Sequence, residues 1–355
     1  MSVGQHDARK RGSAARRWGR RLLKIAGFGL LGLMVLLVIA ITLTIGWRPF
    51  FGPKARPLNG RKFESSQARL ERGRYLVEGS LHCFQCHSKV DKNAPGAPAL
   101  PGTKGGGRIW TEEGFPWLVT PNITPDKETG GGNWTDDMLA RAIREGIGHD
   151  GRALFPLMPY RSFSHLSDED LASVVVYLRT IEALQDRLPQ TKTPFPLSIM
   201  LNILPEPLNA EVPPPDLSTR VKRGEYLAKI SDCAGCHTPR GRMSPELAGF
   251  EFAGGNVMGQ GESAVASTNI TPDPSGISYY DEALFLEVMH TGHVKARKLN
   301  PVMPWVYLRN MTDDDLKSIF AYLRMLKPVH HAVDNTEPPT KCRRCGQVHG
   351  FGERN

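Results

Sequence analysis

Apolar positions follow two different rhythms along this chain. From Ile25 to Trp47, "IAGFGLLGLMVLLVIAITLTIGW", 23 residues pass without a charge. About 20 apolar residues span a bilayer, so this run predicts a transmembrane helix. Later the apolar residues become periodic. Leu171, Val174, Val175 and Leu178 fall at i, i+3, i+4 and i+7, and so do Leu316, Ile319, Phe320 and Leu323. That spacing predicts two helices, each burying one stripe. Ser167 and Thr312 stand where their N-caps belong, with acids in the first turn. Further helices are expected over Ser65–Gly79, Ser218–Ile230, Trp134–Gly146 and Tyr279–Thr291. Almost nothing alternates with period two, so the expected fold class is all-α.

These elements occur in two sets. "RGRYL" (Arg72–Leu76) is matched by "RGEYL" (Arg223–Leu227), and "CFQCH" (Cys83–His87) by "CAGCH" (Cys233–His237). "PALPG" pairs with "PELAG", "NITPD" at Asn122 with "NITPD" at Asn269, and "LMPY" with "VMPW". Last, "LSDEDLASVVVYLRTI" matches "MTDDDLKSIFAYLRML". The offset drifts smoothly from 151 (Arg72 to Arg223) to 145 (Leu166 to Met311), in unchanged order. This is a tandem repeat of single-domain size. The expected organisation is a basic head over 1–24, an anchor over 25–47, a linker over 48–64, domain 1 over 65–187, a packed proline-rich linker over 188–217, domain 2 over 218–328 and a tail over 329–355. The 188–217 linker holds eight prolines, which rule out a helix through its length.

Charge alters the picture only at the N-terminus. The net charge is +9, but residues 1–24 hold eight Lys/Arg against Asp7 alone, which leaves +2 for the rest. That remainder is too small and dispersed for a phosphate-tracking surface, so nucleic acid is not an expected partner. Basic residues stay on the cytoplasmic side of a span, so residues 48–355 are expected outside, in a periplasm if the source is Gram-negative. The competing reading is a cleaved signal peptide. Its apolar stretch is usually shorter and ends in an A-x-A-like site, and none follows "TIGW".

The chemistry lies in the duplicated C-x-x-C-H. Haem c attachment needs two thiols one helical turn apart and an adjacent imidazole beneath the ring, and this spacing supplies them. A thioredoxin-like dithiol would sit in a βαβ setting, and a structural zinc site needs four ligands. Haem c is therefore expected twice, on Cys83 and Cys86 with His87, and on Cys233 and Cys236 with His237. The repeat nominates Met158 and Met303 as sixth ligands, since each stands before a proline just ahead of the closing helix and His/Met ligation raises the potential. Met138, Met289 and Met325 lie within expected helices and suit core packing. His149, His293, His165 and His290 are second choices. Pro98 and Pro245 follow the proximal histidines by 11 and 8 residues. Their carbonyls could accept the ring N–H, with a plain turn proline the open alternative.

Taken together, "RGxYL", "CxxCH", "PxLxG", "NITPD", "MP" and "LSDEDLxxxxxYLR" resemble the class I cytochrome c domain of bacterial diheme and triheme membrane cytochromes. The similarity covers about residues 65–328 and points to the cytochrome subunits of alcohol, gluconate and sorbitol dehydrogenases. It implies two covalent haem c groups with His87/Met158 and His237/Met303 as axial pairs. Those subunits carry three haems, whereas this chain has two motifs and an N-terminal anchor.

The function expected is a membrane-anchored diheme electron carrier on the periplasmic face of the inner membrane, with no catalysis of its own. Its partners would be a dehydrogenase, a quinol-oxidising complex or a terminal oxidase. The alternatives are an electron-transfer subunit docked to a membrane dehydrogenase and a diheme peroxidase-type enzyme, though the matched Met–Pro loops argue against the asymmetry a peroxidase needs. The tail "KCRRCGQVHG" stands apart. Cys342-x-x-Cys345 lacks the following His and looks like a zinc knuckle, with His349 as a third ligand; a local disulfide or an intermolecular metal site fits as well.

Overall fold

The computed structural model describes residues 4–111, 114–241, 246–259 and 264–355, with 4–17 described by backbone alone. The chain divides into two compact units, Met1–Pro53 and Lys54–Asn355.

The first unit is built on α1 (Gly4–Thr44), 41 residues long. Its apolar part, Trp18–Thr44, contains an 18-residue stretch of mean hydropathy 2.6 and is long enough to cross a membrane. The helix differs from the expected 25–47 span at both ends. It begins inside the basic head, whose Arg and Lys residues are good helix formers. It stops at Thr44 because Gly46 turns left-handed (φ +68°), its N–H donating to Ile41 O at 2.7 Å, and Pro49 follows.

In the second unit one series of elements occurs twice. The first is α2 (Gln67–Tyr75), a π turn over Leu76–Ser80, α3 (Cys83–Cys86), the hairpin β1 (Arg108–Trp110) and β2 (Phe115–Thr120), α4 (Asp136–Glu145), α5 (Tyr160–Phe163) and α6 (Asp168–Leu178). After the short α7 (Leu197–Leu201) come α8 (Arg220–Ile230), α9 (Cys233–His237) and the hairpin β3 (Val257–Met258) and β4 (Val265–Ala266). Then follow α10 (Glu282–Thr291), the hairpin β5 (His293–Val294) and β6 (Arg297–Lys298), α11 (Trp305–Leu308) and α12 (Asp313–Met325). The hairpin β7 (Pro339–Lys341) and β8 (Val348–Gly350) closes the chain.

The all-α expectation is corrected to this extent: helices dominate, and four two-stranded antiparallel hairpins join them among the described residues. The hairpins are too short, mostly two or three residues a strand, to leave a period-two signal. They satisfy backbone groups in the loops the helices leave between them.

Helix starts follow their caps. Ser66, Thr135, Ser167, Thr219, Asp281 and Thr312 each accept a backbone N–H from three residues on. The caps at Thr135 and Asp281 start α4 and α10 later than Trp134 and Tyr279. In each half the opening and closing helices cross tightly at a glycine. A Cβ on Gly73 would lie 2.0 Å from Ser173 O, and one on Gly224 would lie 1.8 Å from Ser318 O. These are the glycines of the two "RGxYL" motifs. Leu171, Val174, Val175 and Leu178 of α6 are buried, as are Leu316, Ile319, Phe320 and Leu323 of α12. Burying each such side chain contributes roughly 1.5–3 kcal/mol.

Both halves feed one continuous core, and polar contacts stitch the seam between them. Tyr75 donates to Asp315, Tyr226 to Asp170 and Ser162 to Asp232. Gln85 donates to the Val302 carbonyl, and Asn310 to that of Glu78. The 188–217 segment runs along the first half. Lys192 N–H donates to Trp117 O, Val119 N–H to Thr191 Oγ1, and Asp168 N–H to Val212 O.

Candidate haem-binding sites

Each C-x-x-C-H helix opens on a non-glycine residue in the left-handed region, His82 (φ 39°) and Asp232 (φ 57°). That abrupt reversal separates the motif helix from the helix before it. The thiols stay protonated. Burial pushes Cys83 up to about 12, Cys86 to about 11, and Cys233 and Cys236 to about 12. A redox-active dithiol needs a lowered thiol pKa, so these four are not set for that role.

The imidazoles are held neutral. Burial holds His87 and His237 below the usual histidine range. His87 Nδ1 lies 2.9 Å from Pro121 O, and His237 Nδ1 lies 2.7 Å from Thr268 O. With Nδ1–H donated to a carbonyl, the Nε2 lone pair is left for a metal.

The expectation for Pro98 is corrected here. Its carbonyl accepts the Asp91 N–H at 2.9 Å and does not meet His87. Pro245 lies outside the described residues, and the carbonyl at His237 belongs to Thr268. Both accepting carbonyls come from the residue directly before "NITPD". That loop is locked identically in the two halves. Asn122 Oδ1 accepts from the Thr124 N–H and hydroxyl, while its amide reaches Leu184 O at 2.6 Å. Asn269 does the same with Thr271 and Val329 O. The repeated motif therefore aims the carbonyl beside it.

The two methionine loops are also alike. Tyr160 N–H donates to Met158 O, and Trp305 N–H to Met303 O, each at 2.8 Å. The intervening Pro159 (φ −81°, ψ 50°) and Pro304 (φ −79°, ψ 38°) close an inverse γ-turn. Behind the loops, α4 and α10 end at Gly146 and Gly292, both at φ 70°. Each packs so closely on the ring of Tyr160 or Trp305 that a Cβ would clash.

A cavity of about 420 Å³ brings Cys83, His87 and Met158 together with Trp134, Phe155 and Leu178 on its wall. Its size falls in the range for cofactor sites. The residues fit haem c: neutral thiols to add to the ring, an imidazole with Nε2 free, a thioether on the same wall and apolar surroundings. The other histidines are otherwise engaged. His149 lines the cavity but stacks on Trp134, with centroids 4.5 Å apart. His293 Nδ1 lies 2.9 Å from Thr291 O, and His290 pairs with Asp313.

Comparisons with known proteins point to the same class of protein. The family model described as cytochrome c oxidase, cbb3-type, subunit III matches residues 68–178. That segment is a cytochrome c domain, and the chain is a relative of c-type electron-transfer cytochromes. A nicotinate dehydrogenase subunit of Pseudomonas putida is 30% identical over 82% of this chain and 24% of its own length. The fructose dehydrogenase cytochrome subunit of Gluconobacter japonicus is 30% identical over 76% of this chain and 55% of its own. A diheme cytochrome c-type protein of Cereibacter sphaeroides is 29% identical over 70% of this chain and 82% of its own. The chain thus spans about a quarter and about half of the first two relatives.

Proposed function

We propose that this chain is a membrane-anchored diheme cytochrome c, built from two tandem class I domains over 65–187 and 218–328. One haem c would be held by Cys83 and Cys86 with His87 and Met158, the other by Cys233 and Cys236 with His237 and Met303. The observation that carries the reading is the recurrence, in both halves, of a C-x-x-C-H imidazole held by a carbonyl and a methionine in a proline-closed turn.

A bound haem c supplies a one-electron iron couple, and His/Met ligation sets it at high potential. The chain's own residues do the rest. Pro121 and Thr268 carbonyls fix the ring orientation and raise imidazole basicity. The proline turns hold the thioethers in place. Apolar walls exclude water, and Arg152 and Lys192 on the first cavity's wall suit the carboxylates of the group.

The seam brings the two centres together. Gln85, inside the first motif, donates at 3.2 Å to Val302, the neighbour of Met303. Ser162, beyond Met158, donates at 2.6 Å to Asp232, the neighbour of Cys233. Cys86 is close enough to Cys236 to contribute to its raised pKa. This closeness favours a relay within one chain.

The apolar helix after a basic head supports an inner-membrane anchor with the haem domains in the periplasm. Electrons would pass from a dehydrogenase or quinol-linked complex to a downstream acceptor such as a terminal oxidase. A docked dehydrogenase subunit is the second reading, favoured by the names of the relatives. Detergent-solubilised full-length protein should carry haem on both motif peptides and show two low-spin His/Met centres by magnetic circular dichroism. A high-spin or bis-histidine centre, or haem on one motif only, would overturn the reading. Copurification with a dehydrogenase in mild detergent separates the docked form from the free carrier.

A further inference from the structure

A second cluster of metal-ligating side chains lies in the C-terminal tail, apart from both C-x-x-C-H motifs. His331, Cys342, Cys345 and His349 are all buried, and their ligand atoms lie within 4.8 Å of one another. The geometry points to a mononuclear structural zinc site, with Cys342 Sγ, Cys345 Sγ, His331 Nε2 and His349 Nε2 as the four ligands.

The distances match that chemistry. Cys342 Sγ lies 3.4 Å from His331 Nε2, and Cys345 Sγ lies 3.4 Å from His349 Nε2. Tetrahedral zinc with its usual Zn–S and Zn–N bonds places sulfur and nitrogen about 3.5 Å apart. The remote ring nitrogens are anchored, as zinc ligands require. His331 Nδ1 lies 2.9 Å from Ala253 O, and His349 Nδ1 lies 2.9 Å from Gly350 O. Each Nε2 is therefore the atom left with a lone pair facing a sulfur. The two rings stand perpendicular, at 88°.

Backbone geometry builds the cysteine half. Between β7 and β8 the chain folds into a knuckle. Cys342 N–H donates to Gln347 O, Gly346 N–H to Cys342 O, and Cys345 N–H points at Cys342 Sγ from 3.5 Å. Gly346 sits at φ +73°, where the turn favours glycine. The hairpin pairs His349 with Thr340 and so returns it to the cysteines. The fourth ligand, His331, arrives from the segment after α12.

Charge balances as well. Zn²⁺ binding displaces one proton from each thiol, and the two thiolates then cancel the metal charge. A neutral centre suits a site with all four residues buried. The tail has few apolar residues of its own, and small segments of this kind need a metal or disulfide to hold them. The site also braces the second half. Ala253 O accepts from His331, while the next N–H, that of Gly254, donates to His237 O at 2.6 Å.

The test uses the full-length chain, purified without a histidine tag or chelator. Elemental analysis should find about one zinc per chain in addition to any iron. Zinc-edge X-ray absorption should find two sulfur and two nitrogen neighbours. Cys345→Ser and His331→Gln should each lower zinc by about tenfold or more while leaving haem content unchanged. The wild-type stoichiometry and absorption spectrum decide the matter even if a variant fails to fold. Folded wild-type protein with under about a tenth of a zinc per chain would overturn the proposal. So would a Cys342–Cys345 disulfide seen by mass, or another metal in that coordination.

Discussion

Tyr226 of α8 donates its hydroxyl to Asp170 Oδ2 at 2.6 Å, across the seam between the halves. Asp170 is held from its own half by Arg72, at 2.7 and 2.8 Å. The relationship is reciprocal: Tyr75 reaches Asp315, which Arg223 holds from its own half. Each "RGxYL" motif thus spends its Arg within one half and its Tyr on the other. The arrangement joins the opening helix of each half to the closing helix of the other and brings the two C-x-x-C-H motifs side by side.

Removing one of these phenols leaves a buried carboxylate with fewer donors. Hydrogen bonds to charged groups contribute about 1.5–3 kcal/mol each. Tyr226→Phe should destabilise by that order, and Tyr75→Phe similarly, as read by chemical denaturation. If the halves unfold together, a single transition shifts. Two separate transitions in the variant would mean that the seam itself couples the halves.

Asn122 and Asn269 each lock a loop through both ends of one amide. Alanine at either position removes the acceptor of a buried threonine N–H and hydroxyl and one donor to a carbonyl, at about 1–3 kcal/mol for each group left unsatisfied. The damage should be local, because the loop aims only one imidazole. Asn269→Ala should perturb the His237 centre and spare the His87 centre, seen by comparing the two haem spectra. Equal perturbation of both would contradict the division of labour.

These loops also show what could be read from residues alone. The duplication of the cysteines, histidines and methionines was legible because side-chain identity recurs at nearly constant spacing. The carbonyl partner was not, since a backbone oxygen leaves no residue signature: Pro121 stands in one half and Thr268 in the other. A better cue was the identical "NITPD" directly after both. His331 was hidden for another reason. It lies 11 residues before Cys342, outside any knuckle spacing, and only the chain's return past Ala253 brings it to the cysteines. The hairpins were illegible because most of their strands are two or three residues long, too short to carry a period.

Acid should loosen the first half through Asp137. Arg56 binds this carboxylate at 2.6 and 2.9 Å and Glu145 at 2.8 Å, with both acids buried. Burial pushes Asp137 up, but the bonds from Arg56 and the Asn59 N–H outweigh it and hold the group below its ordinary value. Its contribution is therefore present above the unfolded value of about 3.9 and lost as pH falls through the folded one. Glu145 has the opposite sign. Burial raises it despite Arg56, so its contribution is complete at low pH and declines as pH rises through the raised value. In urea midpoints measured across the acid range, Asp137→Asn should flatten the low-pH fall. An unchanged fall would place the acid-sensitive group elsewhere.

The assignment of each methionine to its own half can be tested through potentials. His/Met ligation gives a higher potential than histidine on both sides, so Met158→His should lower one of two redox waves. Met303→His should lower the other. Because the Met–Pro turns are closed by backbone bonds that do not involve the methionine side chain, both substitutions should leave the loops folded. The seam adds a further expectation. Val302, beside Met303, accepts from Gln85 of the first motif, so the unsubstituted centre should feel a smaller shift in each variant. Spectroelectrochemical titration of the full-length protein reads both effects together. If the two variants moved the same wave, Met158 and Met303 could not serve separate irons, and His149 on the cavity wall would take the vacant role.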